Sequence, residues 1–247
     1  MPDLRRGCEV AVEELEQAIA LYRQIARVQP VFRLRLGTAL VNTAGIVLAL
    51  GDSARAEAMI GEAVAVLRED PVQPYALAQA ESALASVLAV TGQTDRAAAA
   101  SASAVATWRA AAAVDPDHQV PLARELTRGG ALAMNRDDGP AALCASAEAV
   151  GLLSGLPTAP ADLEEALWTY VNVRGTVAVT RADLADAATA LLALLEMTGD
   201  GPRAVAHAAM FLAALADQDV GLDPGPVAEL RSRVNAHSEV ADGPQIV

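Results

Sequence analysis

The residue types that most often carry chemistry are sparse and scattered along this 247-residue chain. Three histidines, His118, His207 and His237, could ligate a metal or move a proton, yet none has a cysteine or carboxylate at a spacing that completes a metal site. His207 lies in an apolar helical run, where a packed histidine accounts for it. Cys8 and Cys144 are far apart and match no metal spacing, so they read as small buried or half-buried apolar residues. The run Glu13-Glu14-Leu15-Glu16 could supply a carboxylate pair, but it fits better as a solvated helix face near an N-terminus, where the helix dipole favours negative charge. There is no Gly-rich phosphate loop after a strand, no strand–Ser–helix elbow and no HExxH. The expectation is a protein without catalytic residues, metal or cofactor.

The elements that would have to position any site are helical. Hydrophobic residues make up 53% of the chain, which excludes wholesale disorder, while aromatics make up only 3%. Alanine supplies 57 positions and favours helices that pack closely through small side chains. All 18 basic residues are Arg, a bias that with the Ala and Gly content fits a GC-rich bacterial genome. A net charge of −13 opposes binding to nucleic acid or to an anionic membrane, and makes a basic partner electrostatically easier. No charged-then-apolar leader opens the sequence, and its apolar runs read as short and broken by charge. A cytoplasmic protein with reduced thiols and no membrane span is expected.

The chain nearly repeats itself. Leu40–Leu67 is echoed in phase by Glu81–Trp108, Leu126–Leu153 and roughly Tyr170–Leu195. Each copy reads as helix, tight polar turn, helix. Gly51-Asp52, Gly92-Gln93 and Asp137-Asp138-Gly139-Pro140 mark the turns, where Gly or Asp accepts the backbone conformations that close a helix hairpin. After each turn come two alanines seven apart, which lie on one helical face: Ala56 and Ala63, Ala97 and Ala104, Ala142 and Ala149. Tyr22–Pro30 and Trp108–Pro116 share an aromatic, Arg, Ala, Val and Pro at identical spacing, and the proline stops the second helix of a unit. This pattern predicts an all-α fold, a right-handed α-solenoid of antiparallel helix pairs.

These residues resemble the tetratricopeptide repeat family, in particular the longer-period tandem repeats of actinobacterial proteins and kinesin light chains. The likeness rests on Ala44, Gly51, Ala56 and Ala63, then on Ala85, Gly92, Ala97 and Ala104, and on Gly130, Asp137, Ala142 and Ala149. A period above 40 residues overlaps that of HEAT repeats, but the Gly turn and Ala pairs favour the tetratricopeptide pattern. In the fourth unit Asn172 and Gly175 match Asn42 and Gly45, with Arg181 falling where the turn glycine would be.

A single repeat domain is expected over residues 1–237. Residues 8–30 form a half-repeat helix, and helix pairs follow over about 31–71, 72–116, 117–160 and 161–200. Helices at 201–237 cap the end, and 238–247 forms a flexible tail. The resemblance implies a non-catalytic protein–protein interaction module whose concave groove, lined by the first helix of each unit, takes a peptide or helix. Carried over residue by residue, the groove residues are Asn42, Gly45, Ser82, Ser86, Arg128, Asn172 and Arg174. The asparagines would hydrogen-bond a peptide backbone and the arginines a carboxylate. With no Lys and small apolar residues at most groove positions, the chain matches poorly the family's clamp for a C-terminal carboxylate. The alternative is a structural homo-oligomer assembling through the apolar 203–217 segment.

Overall fold

A computed structural model describes residues 2–69, 74–156, 160–177, 181–216 and 225–241. Among them are eleven α-helices and no strand: α1 Pro2–Val28, α2 Arg33–Ala49, α3 Ser53–Arg68, α4 Pro74–Val90, α5 Thr94–Val114, α6 Gln119–Met134, α7 Gly139–Ser154, α8 Pro160–Val177, α9 Arg181–Met197, α10 Pro202–Ala216 and α11 Gly225–Ala241. The sequence suggested one domain, whereas the helices cluster into two compact units, Met1–Arg136 and Asp137–Val247.

The turn signals act as their chemistry requires. Gly51 and Gly92 adopt φ of 96° and 75°, and Asp137 takes the equivalent left-handed position at 57°. At the first turn Gly51 N donates to Leu48 O and Asp52 N to Val47 O, which satisfies carbonyls at the end of α2. The Asp52 carboxylate then accepts from Arg55 N at 3.1 Å and caps α3. Pro30 and Pro116 each open a short 3-10 turn that redirects the chain into the next helix. All six paired alanines, Ala56, Ala63, Ala97, Ala104, Ala142 and Ala149, are 0% exposed.

In the first unit each helix packs on its neighbours, and α2 also touches α4, its counterpart in the next pair. Ile19, Leu36, Leu40, Val47, Ile60 and Leu67 form part of the core. Long ion pairs join the second helices. Arg55 meets Glu16 at 2.5 Å, Arg23 meets Glu62 at 2.6 Å, and Arg96 meets Glu57 at 2.8 Å. A hydrogen bond from Gln93, together with Arg96, holds the Glu57 carboxyl below the usual carboxylate range.

In the second unit α11 lies on α9 and α10 and buries Val227, Leu230 and Val234. The Asp200 carboxylate ties it down through Arg233 at 2.7 Å and His237 at 3.2 Å.

Some expectations shift. The expected tail begins inside a helix, since α11 runs to Ala241, and of that tail residues 242–247 lie outside the described residues. Arg181 opens α9 instead of occupying a turn, so the fourth pair is about two residues out of the expected register. Contrary to the reading of short, broken apolar runs, Pro30–Ala49 is a 20-residue helical stretch of mean hydropathy 1.3, long and apolar enough to span a bilayer. Its Leu36, Leu40, Ala44 and Val47 are instead buried in the core of the first unit.

Candidate functional site

The first helices of the pairs in the first unit are α2, α4 and α6, and their exposed positions form the candidate surface. On α2 these are Arg35, Thr38, Asn42 and Gly45, spaced three or four apart along one face. The only acids on α2, α4 and α6 are Glu81 and Glu125, and each is just 2% exposed. Glu81 accepts from Arg68 at 3.0 Å, Ser103 Oγ at 2.7 Å and Thr107 Oγ1 at 2.8 Å. Glu125 accepts from Ser101 Oγ at 2.6 Å and from Arg128. Thus α5 carries hydroxyl donors for a buried carboxylate on each side of it. Both charges are paired and hydrogen-bonded, as burial demands.

Three of the expected groove residues come together in this network. Ser82 Oγ accepts from Trp108 Nε1 at 3.0 Å, and the Ser82 carbonyl accepts from Ser86 Oγ at 2.9 Å and from Arg128 at 3.2 Å. Arg128 therefore spends its guanidinium on Glu125 and on the α4 backbone. In the second unit Arg174 is likewise engaged by Asp183, by Asp186 at 2.9 Å and by Tyr170 Oη at 3.0 Å. Its neighbour Asn172 is exposed, as are Asn42 and Gly45 on α2. A Cβ added at Gly45 would meet nothing within 4 Å.

Of the seven, Asn42 lines a cleft in the first unit. Leu15, Ala18 and Tyr22 of α1 form one wall of it, and Leu34, Arg35, Thr38, Ala39 and Asn42 of α2 the other, around about 520 Å³. The Arg35 guanidinium lies 5.7 Å from the Phe32 ring centroid. Such a space, apolar with a few polar groups at its edge, suits an amphipathic ligand. Sequence reasoning missed this cleft, the buried glutamates and the ion pairs between second helices. The Ser-x-Ser-x-x-x-Thr stripe at Ser101, Ser103 and Thr107 was the available sign that α5 serves buried acceptors.

No protein-family model matches the sequence, and no curated protein matches it either. Solved structures do match. The putative kinesin light chain of Podosopora anserina, with nearly identical TPR-like repeats, superposes at TM-score 0.55 and 13% identity, over 86% of this chain and 99% of that one. The fold is that of tetratricopeptide-type repeat proteins. RapI in its apo form matches at TM-score 0.59 and 12% identity over 93% of this chain, and aspartyl phosphate phosphatase F from Bacillus subtilis at 0.56 and 14% over 93%. This tetratricopeptide-type chain spans 61% and 59% of those two proteins' lengths.

Proposed function

We propose that the chain is a non-catalytic interaction module, an adaptor or regulatory scaffold of the cytosol, which binds a peptide or helix on the face formed by its first helices. The observation that carries this reading is the open cleft beside Asn42 on a fold that the chain shares with proteins of TPR-like repeats. Affinity capture from native cytosol, with Gly45→Trp as the blocked control, tests it. A partner held by the wild type and lost with the variant supports the reading; equal recovery with both sends the site elsewhere.

A second reading, self-assembly, is favoured by α10. Beyond Arg203, whose guanidinium lies over the Trp168 ring, its exposed positions Ala206, Ala209, Met210 and Ala213 form an uncharged stripe. Sedimentation at two concentrations separates the two readings: a concentration-dependent mass that Met210→Glu abolishes would favour assembly.

A further inference from the structure

Among the described residues, helix α1 has the pattern of a second helix with no first helix packed beside it. The shared spacing of Tyr22–Pro30 and Trp108–Pro116 puts Ala11, Ala18, Tyr22 and Ile25 of α1 in register with Ala97, Ala104, Trp108 and Ala111 of α5. In α5 these four positions are buried to 0%, 0%, 4% and 2% exposure, because α5 packs between α4 and α6. In α1, which packs on α2, Ala11, Ala18 and Tyr22 are only half-buried and Ile25 is 38% exposed. Among the described residues, the face that α5 presents to neighbours on both sides is covered in α1 on one side alone.

We propose that this face and the adjoining cleft seat one amphipathic helix of a partner protein, which takes the place that α4 holds beside α5. The proposal rests on the interaction-module reading and names the occupant of its surface. The repeats specify the occupant's chemistry. Leu84 and Leu88 of α4 pack with Ala97 in the intact pair, so the incoming helix presents Leu or Ile a turn apart towards Ala11. The open face from Ala11 to Ile25 is about 21 Å long at the α-helical rise, which sets the occupant at four turns or more. Arg128 of α6 donates to the Ser82 carbonyl of the preceding first helix, and Asn42 stands at the matching position on α2. Asn42 thus faces the occupant's backbone.

Charge fixes the orientation. Arg35 is exposed on the α2 wall, and α2 has no acidic residue. On α1, beside the other wall, Glu14 is exposed one turn before Ala18. A helix with an acid on its α2-facing flank and a base on its α1-facing flank matches both, and the reversed helix opposes like charges.

A library of displayed 16-residue peptides panned against the full chain supplies the probes. Selected binders are expected to carry Leu, Ile or Met at helical spacing with an acidic flank, and to gain helicity on binding. Thr38→Trp, which fills the cleft from an exposed position, should weaken them at least tenfold, and Arg35→Glu should shift the selection from acidic to basic flanks. Circular dichroism and melting confirm that both variants fold. Binders that ignore both changes but are lost with Gly45→Trp would overturn this seat while leaving the interaction module standing. Absence of any binder would overturn both. A homodimer broken by Thr38→Trp would replace the partner protein with a second copy and overturn the assignment.

Discussion

Glu16 and Arg55 are 39 residues apart in sequence and 2.5 Å apart in space, and the same interval separates Arg23 from Glu62 and Glu57 from Arg96. The repeat therefore carries its own rungs: an ion pair from each second helix to the next, laid along α1, α3 and α5. Arg23 engages Glu62 with two hydrogen bonds, at 2.7 and 2.6 Å.

The rungs are part-exposed, so each contributes modestly. A double-mutant cycle with Arg23→Met and Glu62→Gln should give a coupling of about 0.5–1 kcal/mol in urea unfolding, shrinking in 1 M salt. A coupling indistinguishable from zero at low salt would show that the two-point geometry adds nothing in solution.

The buried glutamates behave differently. Arg128→Ala leaves the Glu125 carboxylate with Ser101 among its described partners and should cost about 3 kcal/mol in unfolding free energy. Glu125→Gln in the same background should recover part of that loss, because the uncompensated charge is gone. No recovery would mean that the cost came from lost packing of the Arg128 stem.

Two alanines in register offer a ligand-free test of how open the first seat is. Ala104→Leu forces three extra carbons into a fully covered site and should destabilise by about 2 kcal/mol. Ala18→Leu, facing the cleft, should change stability by less than about 0.5 kcal/mol. Equal losses at the two positions in thermal melts would show that α1 is as tightly covered as α5.

The attachment of α11 is acid-sensitive. A hydrogen bond from His237, with Arg233, holds the Asp200 carboxyl below the usual aspartate range. A depressed carboxylate stabilises the fold at pH above its unfolded-state value and loses that contribution as pH falls through the lower folded-state value, so the tether weakens below about pH 4. Asp200→Asn should raise amide exchange across α11 at neutral pH and flatten its response to acid. Unchanged exchange would show that Val227, Leu230 and Val234 alone hold the helix.

The fold was legible because its signals are local and recur. Gly51, Gly92 and Asp137 each need a left-handed backbone, the paired alanines each need a close neighbour, and Pro30 and Pro116 each end a helix in the same way. The polar interior was not legible, because Glu81 and Glu125 look like solvent-facing charges until α5 is placed between them. The same holds for Arg128 and Arg174: a guanidinium on a first helix suggests a ligand site, but partners supplied by other turns and helices engage both. Asn42 was found from the family pattern, while the cleft it lines depends on how α1 and α2 splay, which no periodicity records.

Packing on one side only makes α1 the fraying end of its unit. In a linear array, stability is the sum of each helix's own tendency and its neighbour couplings, so a terminal element with one coupling opens before those with two. Its backbone amides should exchange first, and a helix arriving beside Ala11 and Ala18 would protect them and raise the melting temperature in proportion to its occupancy.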